Sequence, residues 1–475
     1  MSIVVVDAGT SSVRVAAVER DGSISLSRSV IQHPNSPAPG LVEFDAAQMR
    51  QAVLDLTQAV IEAISEVEAI AVTTQRASAI VWDRVSGEPV GPGIGWQDQR
   101  TKARCDELLG QGFIVTANQT ASKIEWIANH AESFRRSQLC AGTIDAWVVW
   151  CLTNGEQFVF DTTNALASGL LNYDLQTLNE PLIAALGFDV TSIPRVVPTV
   201  GIVGNASAIH GAPPIAAVVG DQQSSMAGQG VVVPGVAKVT LGTGGMLNVF
   251  LGSELPSNIS MDQGCYPIAA YSTANSANWG YEAIMITAGH NVEWFCSQLG
   301  LFQTPGDLEA AACEATNSGG VVWVPALLGL GTPSWDAQAQ GAVMGLSRST
   351  TPAQIARAVL EGVAFRVAEL VESIEHDAGL TIDCLRCDGG MSHNDLLCQL
   401  IASASGRTVE ASPLSEMTTI GAARLAGVAI GWTSSVDDLG QLWQPRARFT
   451  PREDDLDRAR WDRGVALTRD FAGPL

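Results

Sequence analysis

The sequence is poor in lysine and lacks several common catalytic signatures. Its 475 residues include only three lysines, Lys102, Lys123 and Lys238, and none of them follows a glycine. The phosphate-binding motif GxxxxGK[ST] is therefore absent. The motifs HExxH, GxSxG and His-Arg-Asp are missing as well, which removes zincins, α/β-hydrolases and protein kinases from the functions that the sequence supports.

Basic residues are scarce overall. The chain has 27 lysines and arginines against 49 acidic residues, a net charge of −22. Binding to nucleic acids or anionic membranes needs basic residues that neutralise phosphates, so we expect neither as a partner. A phosphorylated ligand would have to be bound locally, by backbone N–H groups, single arginines and Mg²⁺.

Paired cysteines and long apolar runs are also lacking. The nine cysteines are scattered, an odd number in a long chain with no secretory signal, which predicts reduced thiols. Cys384 and Cys387 form a CxxC but have no second pair for zinc, so we interpret them as core thiols. No apolar run approaches the ~18 residues that a membrane span needs. We therefore expect a cytoplasmic protein.

The remaining composition is that of a large globular α/β protein, with 46% apolar and 16% charged residues. The opening predicts strands near 3–6, 13–18 and 24–30, a helix near 46–65, and strands near 69–73 and 79–83. Residues 236–250 repeat the opening pattern of a strand, a Gly-Thr turn and a returning strand. The repeat predicts a duplicated fold with both turns facing one interdomain cleft. The alternative is two unrelated hairpins.

The two turns are rich in small and hydroxyl residues, which suit phosphate binding because the backbone is accessible and extra donors lie beside it. These residues are Thr10, Ser11, Ser12, Gly242, Thr243, Gly244 and Gly245. Asp7 at a strand end suits a hydrated Mg²⁺, and Arg14 suits a phosphate. A third glycine cluster, at 385–394, lies between a strand and a helix starting near Asn394, where a turn can lie flat against a nucleotide.

A series of short motifs runs along the chain from residue 3 to about residue 430. The motifs are DAGTSSVR at 7–14, QRASAIVWD at 75–83, GWQDQRT at 95–101, SKIEWIANH at 122–130, GTIDAWVVWCLTNG at 142–155, GDQQSSMAGQ at 220–229, LGTGG at 241–245, VPALLGLGTPSWD at 324–336, GLSRSTTPAQIARAVLEG at 345–362, DGGMSHN at 388–394 and TTIGAARLAG at 418–427. In type and order they resemble the FGGY family of carbohydrate kinases and, within it, the glycerol kinase branch.

The resemblance implies a two-domain α/β protein of the actin-like ATPase (ribonuclease H-like) fold, with domains at 1–235 and 236–475, an interdomain cleft, and ATP and Mg²⁺ as cofactors. It assigns Asp221 as the general base that accepts the proton of the substrate hydroxyl. The first phosphate and metal loop would be Asp7, Thr10, Ser11, Ser12 and Arg14. The second phosphate loop would be Gly242, Thr243 and Gly244, and the adenosine side Gly390 and Asn394. Substrate contacts would be Gln75, Arg76, Ala77, Trp96, Asn118, Asp221 and Gln222.

The substrate pattern departs from that of glycerol kinases at two positions. Those enzymes have Gln-Arg-Glu where this chain has Gln75, Arg76 and Ala77, and an aromatic residue where it has Asn118. A hydrogen bond to a charged group contributes roughly 1.5–3 kcal/mol, so losing the Glu is expected to weaken glycerol binding by about one to two orders of magnitude. Trp96, which would pack against substrate carbons, is retained. We expect a small polyol or related sugar, longer than glycerol and phosphorylated at a primary hydroxyl.

Three alternatives stay open from the sequence. Glycerol could still be the substrate if Asn118 or water replaces the lost Glu. A ketose kinase of the xylulokinase or ribulokinase type is the second alternative, and a non-catalytic, actin-like nucleotide-binding regulator is the third. For the assembly, a homodimer or a homotetramer are the candidates. The charged tail after about residue 440 is interpreted as a terminal helix.

Overall fold

The computed structural model describes residues 1–131, 134–255, 260–453 and 456–471. The chain divides into two units. The first unit comprises Met1–Gly228, Ile268–Asn278 and Thr418–Leu439, and the second comprises Gln229–Pro267, Trp279–Met417 and Gly440–Leu475. The first unit thus includes two segments from the later half of the sequence.

Strands make up the centre of each unit. In chain order they are β1 Ser2–Ala8, β2 Ser12–Glu19, β3 Ile24–Ile31, β4 Glu43–Phe44, β5 Val67–Thr74, β6 Ile80–Asp83, β7 Gly93–Ile94, β8 Leu139–Gly142, β9 Val159–Asp161, β10 Arg195–Val197, β11 Val200–Asn205, β12 Pro214–Gly220, β13 Val236–Leu241, β14 Gly245–Gly252, β15 Tyr266–Ser272, β16 Ala277–Met285, β17 Val322–Val324, β18 Ala342–Met344, β19 Cys384–Asp388, β20 Thr408–Ala411 and β21 Ala447–Phe449.

Helices connect these strands. They are α1 Ala46–Ala63, α2 Lys102–Gly110, α3 Thr120–His130, α4 Ile144–Leu152, α5 Thr162–Ala167, α6 Glu180–Ala185, α7 Asp221–Gly228, α8 Gly289–Ser297, α9 Pro305–Glu314, α10 Pro352–Ala378, α11 Asp395–Ser405, α12 Met417–Ala429 and α13 Arg458–Phe471. Short 3-10 helices cover 136–138, 190–192, 390–393 and 437–442.

The two large sheets repeat one topology. The six-stranded sheet has the order β11-β12-β5-β1-β2-β3, and the seven-stranded sheet has the order β15-β16-β14-β13-β19-β20-β21. In the first, β1 pairs antiparallel with β2 and parallel with β5, which is parallel to β12. In the second, β13 pairs antiparallel with β14 and parallel with β19, which is parallel to β20. The duplication predicted from the two hairpins is therefore present in the sheets.

Local sequence explains where several helices begin and end. Asp45 caps α1 by accepting hydrogen bonds from the N–H groups of Ala47 and Gln48. Thr351 and Gln354 form a capping box at the start of α10, whose first residue is proline, and Gly379 ends α10 in the left-handed conformation at φ 64°. The central strands β1, β5, β12, β13 and β19 are largely buried, as expected for strands covered on both faces.

The predicted elements agree with the observed ones within a few residues. The strands expected near 3–6, 13–18 and 24–30 and the helix near 46–65 are β1, β2, β3 and α1. The helix expected near Asn394 is α11, and the tail contains α13. Within the described parts of the chain, no helix is both long and apolar enough to cross a membrane.

Candidate active site

Three parallel strands of the first unit end at one edge of its sheet. The register pairs Ala8 with Thr74, and Thr74 with Gly220, so β1, β5 and β12 end side by side. The residues at these ends are therefore neighbours although they are far apart in sequence. Asp7 lies one residue before the end of β1, Gln75 follows β5, and Asp221 follows β12 and begins α7.

Asp7 is surrounded by charged groups. It is directly opposite Arg14 in the β1–β2 pair. Burial raises the pKa of the Asp7 carboxyl to about 7, the Arg14 guanidinium opposes this shift, and the Asp221 carboxylate adds to it. Because Asp7 lies near the end of β1 and Asp221 directly follows β12, both carboxylates lie at this edge of the sheet.

This pair of acidic groups fits Mg²⁺. Magnesium keeps several waters and is usually bound by one or two carboxylates together with substrate phosphates. Among the described residues there is no group of three or more His, Cys, Asp or Glu side chains that could hold a metal, so an all-protein cage is not present there. A hydrated ion beside Asp7 is the arrangement that these donors allow.

Asp221 is held in place but remains accessible. One of its carboxylate oxygens, Oδ1, accepts a hydrogen bond of 2.8 Å from the Gln222 N–H and lies 3.4 Å from Nε of Arg76. The side chain of Arg76 is 11% exposed and that of Asp221 is 30% exposed. A Cβ on Gly220 would come within 2.7 Å of Cδ of Arg76, so glycine at this position leaves room for the Arg76 stem. A carboxylate that is oriented and still exposed is suited to accept a proton from a ligand.

Polar contacts connect the predicted substrate residues with the first turn. Asn118 Nδ2 donates to the Trp96 carbonyl at 3.1 Å, and Trp96 Nε1 donates to Oγ1 of Thr10 at 3.3 Å. Thr10 Oγ1 donates to Gln75 Oε1 at 3.1 Å, and Gln75 Nε2 donates to the Gly9 carbonyl at 3.2 Å. Four predicted site residues thus form one chain that ends in the β1–β2 turn.

That turn presents its hydroxyl residues outward. The Gly9 N–H donates to the Ser12 carbonyl at 3.0 Å, and the Ser11 carbonyl accepts from Gln32 N–H at 2.8 Å. Ser11 is exposed, whereas Thr10 and Ser12 are partly exposed. The two backbone contacts fix the turn, and because the Thr10 hydroxyl is already bonded to Gln75 and Trp96, Ser11 and Ser12 are the hydroxyl residues that the turn offers to a ligand.

Ala77 has an unusual backbone conformation. Its φ is 63°, in the left-handed region that non-glycine residues rarely adopt. Its carbonyl accepts a hydrogen bond of 3.2 Å from Nζ of Lys123, a lysine with no exposed surface. Burial lowers the pKa of Lys123 to about 7, and the nearby Asp98 carboxylate opposes the shift. Strained backbone of this kind is found most often at functional sites.

In the second unit, the β13–β14 turn is closely packed against the start of α8. The N–H groups of Ala288 and Gly289 donate to the carbonyls of Thr243 and Gly242, both at 2.8 Å. A Cβ on Gly244 would lie 2.9 Å from the Ile286 carbonyl oxygen, so a larger residue would force the turn to shift. The three predicted residues Gly242, Thr243 and Gly244 therefore form a fixed, side-chain-poor turn.

The predicted adenosine residues lie next to this turn. Gly389 has φ +88°, and a Cβ there would meet Leu241 backbone atoms at 2.5 Å, so the β19–α11 turn lies against the end of β13. Gly390 has no atom within 4 Å of its Cβ position, which leaves open space beside it. Asn394 caps α11, because its Oδ1 accepts from the Leu397 N–H at 2.8 Å. The structure gives Asn394 this structural role in addition to the predicted one.

Two family models together match most of the chain. The N-terminal domain of the FGGY family of carbohydrate kinases matches residues 2–228, and its C-terminal domain matches residues 237–430. The chain belongs to the FGGY family of carbohydrate kinases. Members of this family transfer a phosphoryl group from ATP to an alcohol, with Mg²⁺ as the usual metal, so this FGGY protein is an ATP-dependent phosphotransferase.

Relatives of this FGGY kinase are similar over their whole length. A glycerol kinase of Rhodopirellula baltica is 35% identical over 98% of this chain and 90% of its own. A glycerol kinase of Oleidesulfovibrio alaskensis is 34% identical over 99% of both chains. The crystal structure of Plasmodium falciparum glycerol kinase with ADP has a TM-score of 0.89 at 26% identity, covering 98% of each chain. The crystal structure of a xyloylose kinase from Brucella ovis has a TM-score of 0.85 at 24% identity, and the match covers 99% of this chain and 98% of that chain. At this identity the match shows only that the fold is shared.

Two buried polar residues around the candidate active site, Lys123 and Thr163, were not predicted from the sequence. Lys123 is singled out in the sequence only as one of three lysines and as part of the SKIEWIANH motif, yet its Nζ donates to the Ala77 carbonyl. Thr163 was not singled out, although its hydroxyl accepts a hydrogen bond from the Gly220 N–H. The available signals were the rarity of lysine and the hydroxyl-rich stretch DTTN at 161–164. Neither of these sequence signals indicates which residue the side chain will contact, because each hydrogen bond joins two segments that are at least 46 residues apart.

Proposed function

We propose that this FGGY kinase phosphorylates a primary hydroxyl of a small polyol or related sugar that is longer than glycerol. The observation that carries the proposal is the grouping at one edge of the first unit. There Oδ1 of Asp221 lies 3.4 Å from Nε of Arg76. Ala77, which follows Arg76 in the chain, has no side-chain group that could accept a hydrogen bond. A ligand with more carbons and hydroxyls could use the space and the donors that glycerol would leave unused.

In the proposed reaction, Asp221 is the general base. The substrate hydroxyl oxygen forms a bond to the γ-phosphorus of ATP, the bond between that phosphorus and the β,γ-bridging oxygen breaks, and ADP leaves. The proton of the hydroxyl passes to the Asp221 carboxylate. Arg76 and the Gln222 N–H hold that carboxylate in one orientation, which lowers the cost of aligning it with the hydroxyl.

The remaining substrate contacts follow from the polar chain in the first unit. Trp96 offers an apolar ring for substrate carbons, and its Nε1 is already bonded to Thr10. Asn118 uses its Nδ2 on the Trp96 carbonyl, so its Oδ1 is the atom that we assign as an acceptor for a substrate hydroxyl. Arg76 and Gln222 supply donors beside the reacting hydroxyl. Such a set selects for hydroxyl groups spaced along a short carbon chain.

The phosphate and nucleotide contacts are assigned by the same reasoning. Thr10, Ser11, Ser12 and Arg14 in the first unit are proposed to receive ATP phosphates. In the second unit, Gly242, Thr243 and Gly244 do the same, and Gly390 with Asn394 lies along the adenosine. When bound beside Asp7, Mg²⁺ supplies positive charge that offsets the phosphates, a need that is acute in a chain of net charge −22.

A coupled ADP-release assay on the purified protein tests the proposal. MgATP is offered with polyols and ketoses of three to six carbons, glycerol included, and the product of each responder is analysed for the phosphorylated position. The proposal predicts that a polyol or sugar of four or more carbons has the highest kcat/KM and is phosphorylated at a primary hydroxyl. If glycerol has the highest kcat/KM, the chain-length part of the proposal is wrong.

Glycerol is the second candidate substrate. It is favoured by the relatives, because proteins 34–35% identical over nearly the whole chain are named glycerol kinase. In that case Asn118, or a water bound to it, would replace the missing Glu as the acceptor for a glycerol hydroxyl. The ketose alternative rests on structures below 25% identity, which share only the fold, and the same assay panel covers it.

A further inference from the structure

A buried hydroxyl contacts the backbone N–H of Gly220, the residue immediately before Asp221. The Gly220 N–H donates a hydrogen bond of 2.8 Å to Oγ1 of Thr163, a residue that is 57 positions away in sequence. Thr163 is 1% exposed. Gly220 is the last residue of β12 and Asp221 is the first residue of α7, so this hydrogen bond anchors the backbone one residue before Asp221.

The orientation of this hydroxyl is itself determined by a carboxylate. Thr163 Oγ1 donates to Oδ1 of Asp161 at 2.8 Å, which leaves its lone pairs for the Gly220 N–H. Asp161 caps α5 by accepting from the N–H groups of Thr163 and Asn164, and it also accepts from the Asn164 side chain and from Thr199 Oγ1. With this many donors, Asp161 is held as a fixed acceptor.

These contacts form a directed series from Asp161 to Thr163 to Gly220 and so to Asp221. Asp161, Thr163 and Gly220 are buried, whereas Asp221 is partly exposed. Asp161 and Thr163 lie behind the edge where a ligand would bind, and Gly220 lies at that edge, immediately before Asp221. Their effect on the reaction is therefore expected to act through the backbone that carries the Asp221 carboxylate.

We infer that Thr163, oriented by Asp161, is a positioning residue for Asp221. The inference rests on the proposed function, in which Asp221 is the general base. Without the hydroxyl, the buried Gly220 N–H loses its acceptor, and its peptide group can rotate to find another. A shift of about 1 Å in a catalytic group can lower the rate on the order of 100-fold.

The test compares Thr163→Val with Thr162→Val. Both substitutions remove a buried hydroxyl from neighbouring residues, but Thr162 bonds to Ser272 and to the Val197 carbonyl rather than to the Gly220 N–H. We expect Thr163→Val to lower kcat by roughly 10- to 100-fold with little change in KM for ATP. Thr162→Val should keep kcat within about threefold, and Thr163→Ser, which restores the hydroxyl, should restore kcat. Equal losses in the two Val variants would contradict the inference.

A double-mutant cycle separates this inference from the proposed function. If Thr163 acts only through Asp221, then adding Thr163→Val to Asp221→Asn should cause no further loss of kcat. A further 10-fold loss would overturn the inference while leaving Asp221 as the base. Full activity of Asp221→Asn alone would instead overturn the proposed function. If Thr163→Val does not fold, Thr163→Cys is used, because its thiol is a weaker acceptor of similar size.

Discussion

At the scale of single residues, the proposed substrate choice depends most on Ala77. Its left-handed backbone and its contact with buried Lys123 place the residue rigidly beside Arg76. A longer side chain at position 77 would therefore extend from a Cα whose position is fixed by these contacts. The identity of residue 77 should therefore affect substrate choice directly.

Ala77→Glu is expected to raise kcat/KM for glycerol by about 10- to 100-fold. A charged hydrogen bond to a hydroxyl contributes roughly 1.5–3 kcal/mol, and the conformation at this position is already left-handed in the wild type. Steady-state kinetics with glycerol measures the effect, and Ala77→Gln serves as the uncharged control with a smaller expected gain. An unchanged kcat/KM in Ala77→Glu would show that residue 77 does not contact the substrate.

A second prediction concerns the buried pair Asp145 and Asp161. Both carboxyls have no exposed surface, and Asp145 accepts hydrogen bonds from the Thr143 hydroxyl and from the Asp161 N–H at 3.1 Å. Burial raises the pKa of Asp145 from 3.8 to about 8, and the Asp161 carboxylate adds to the shift. Asp145 therefore binds a proton in the folded protein at neutral pH, whereas it is ionised in the unfolded chain.

This difference predicts that the contribution of Asp145 to stability falls as pH rises. Between about pH 4 and pH 8 the folded state binds the extra proton, so the contribution of Asp145 to the free energy of unfolding decreases by up to about 1.4 kcal/mol per pH unit and levels off above pH 8. Asp145→Asn mimics the protonated form and should flatten this dependence. Calorimetric melting from pH 5.5 to 9 tests it, with exposed Asp55→Asn as the control that keeps the wild-type slope. Equal slopes in all three proteins would contradict the assignment.

At the scale of elements, the two glycine-containing turns of the second unit are built differently. The β13–β14 turn is packed so that a Cβ on Gly244 would meet backbone, whereas Gly390 in the β19–α11 turn faces open space. The first turn needs glycine for its own structure. In the second turn, position 390 can accept a methyl group unless a ligand lies against it.

Gly390→Ala is therefore expected to leave the melting temperature unchanged and to raise KM for ATP several-fold. The methyl group finds no protein atom within 4 Å, so any loss must come from contact with the nucleotide. Gly110→Ala is the matched control, because Gly110 is also open on all sides and ends α2 in the first unit. ATP binding as tight as in the wild type would place the adenosine elsewhere.

Most elements around the site could be predicted from local sequence, and the site's supporting contacts could not. The valine-rich strands, the Gly-Thr turns and the caps at Asp45 and Asn394 are signalled by residues close to one another. The hydroxyl of Thr163 reaches Gly220, and Lys123 reaches Ala77, through sheet pairing between distant segments. No periodicity or turn residue indicates such pairs, because they depend on strand order.

At the scale of the whole molecule, the repeated strand order explains why two similar hairpins occur about 230 residues apart. Each hairpin begins a sheet in which a central strand has one antiparallel and one parallel neighbour. The sequence revealed this repeat through its turns. It did not reveal that residues 268–278 and 418–439 belong with the first unit, because chain order alone does not show which sheet or helix layer a late segment joins.

The central claim is that Asp221 is the general base of this FGGY kinase, and one comparison tests it most directly. The rate of ADP release is measured for wild type and Asp221→Asn with the best substrate of the panel, and ATP binding is measured for both by calorimetry. We expect kcat of the variant to fall by roughly 10²- to 10⁴-fold while its Kd for ATP stays within a few-fold of the wild-type value. A variant that retains wild-type kcat would contradict the account.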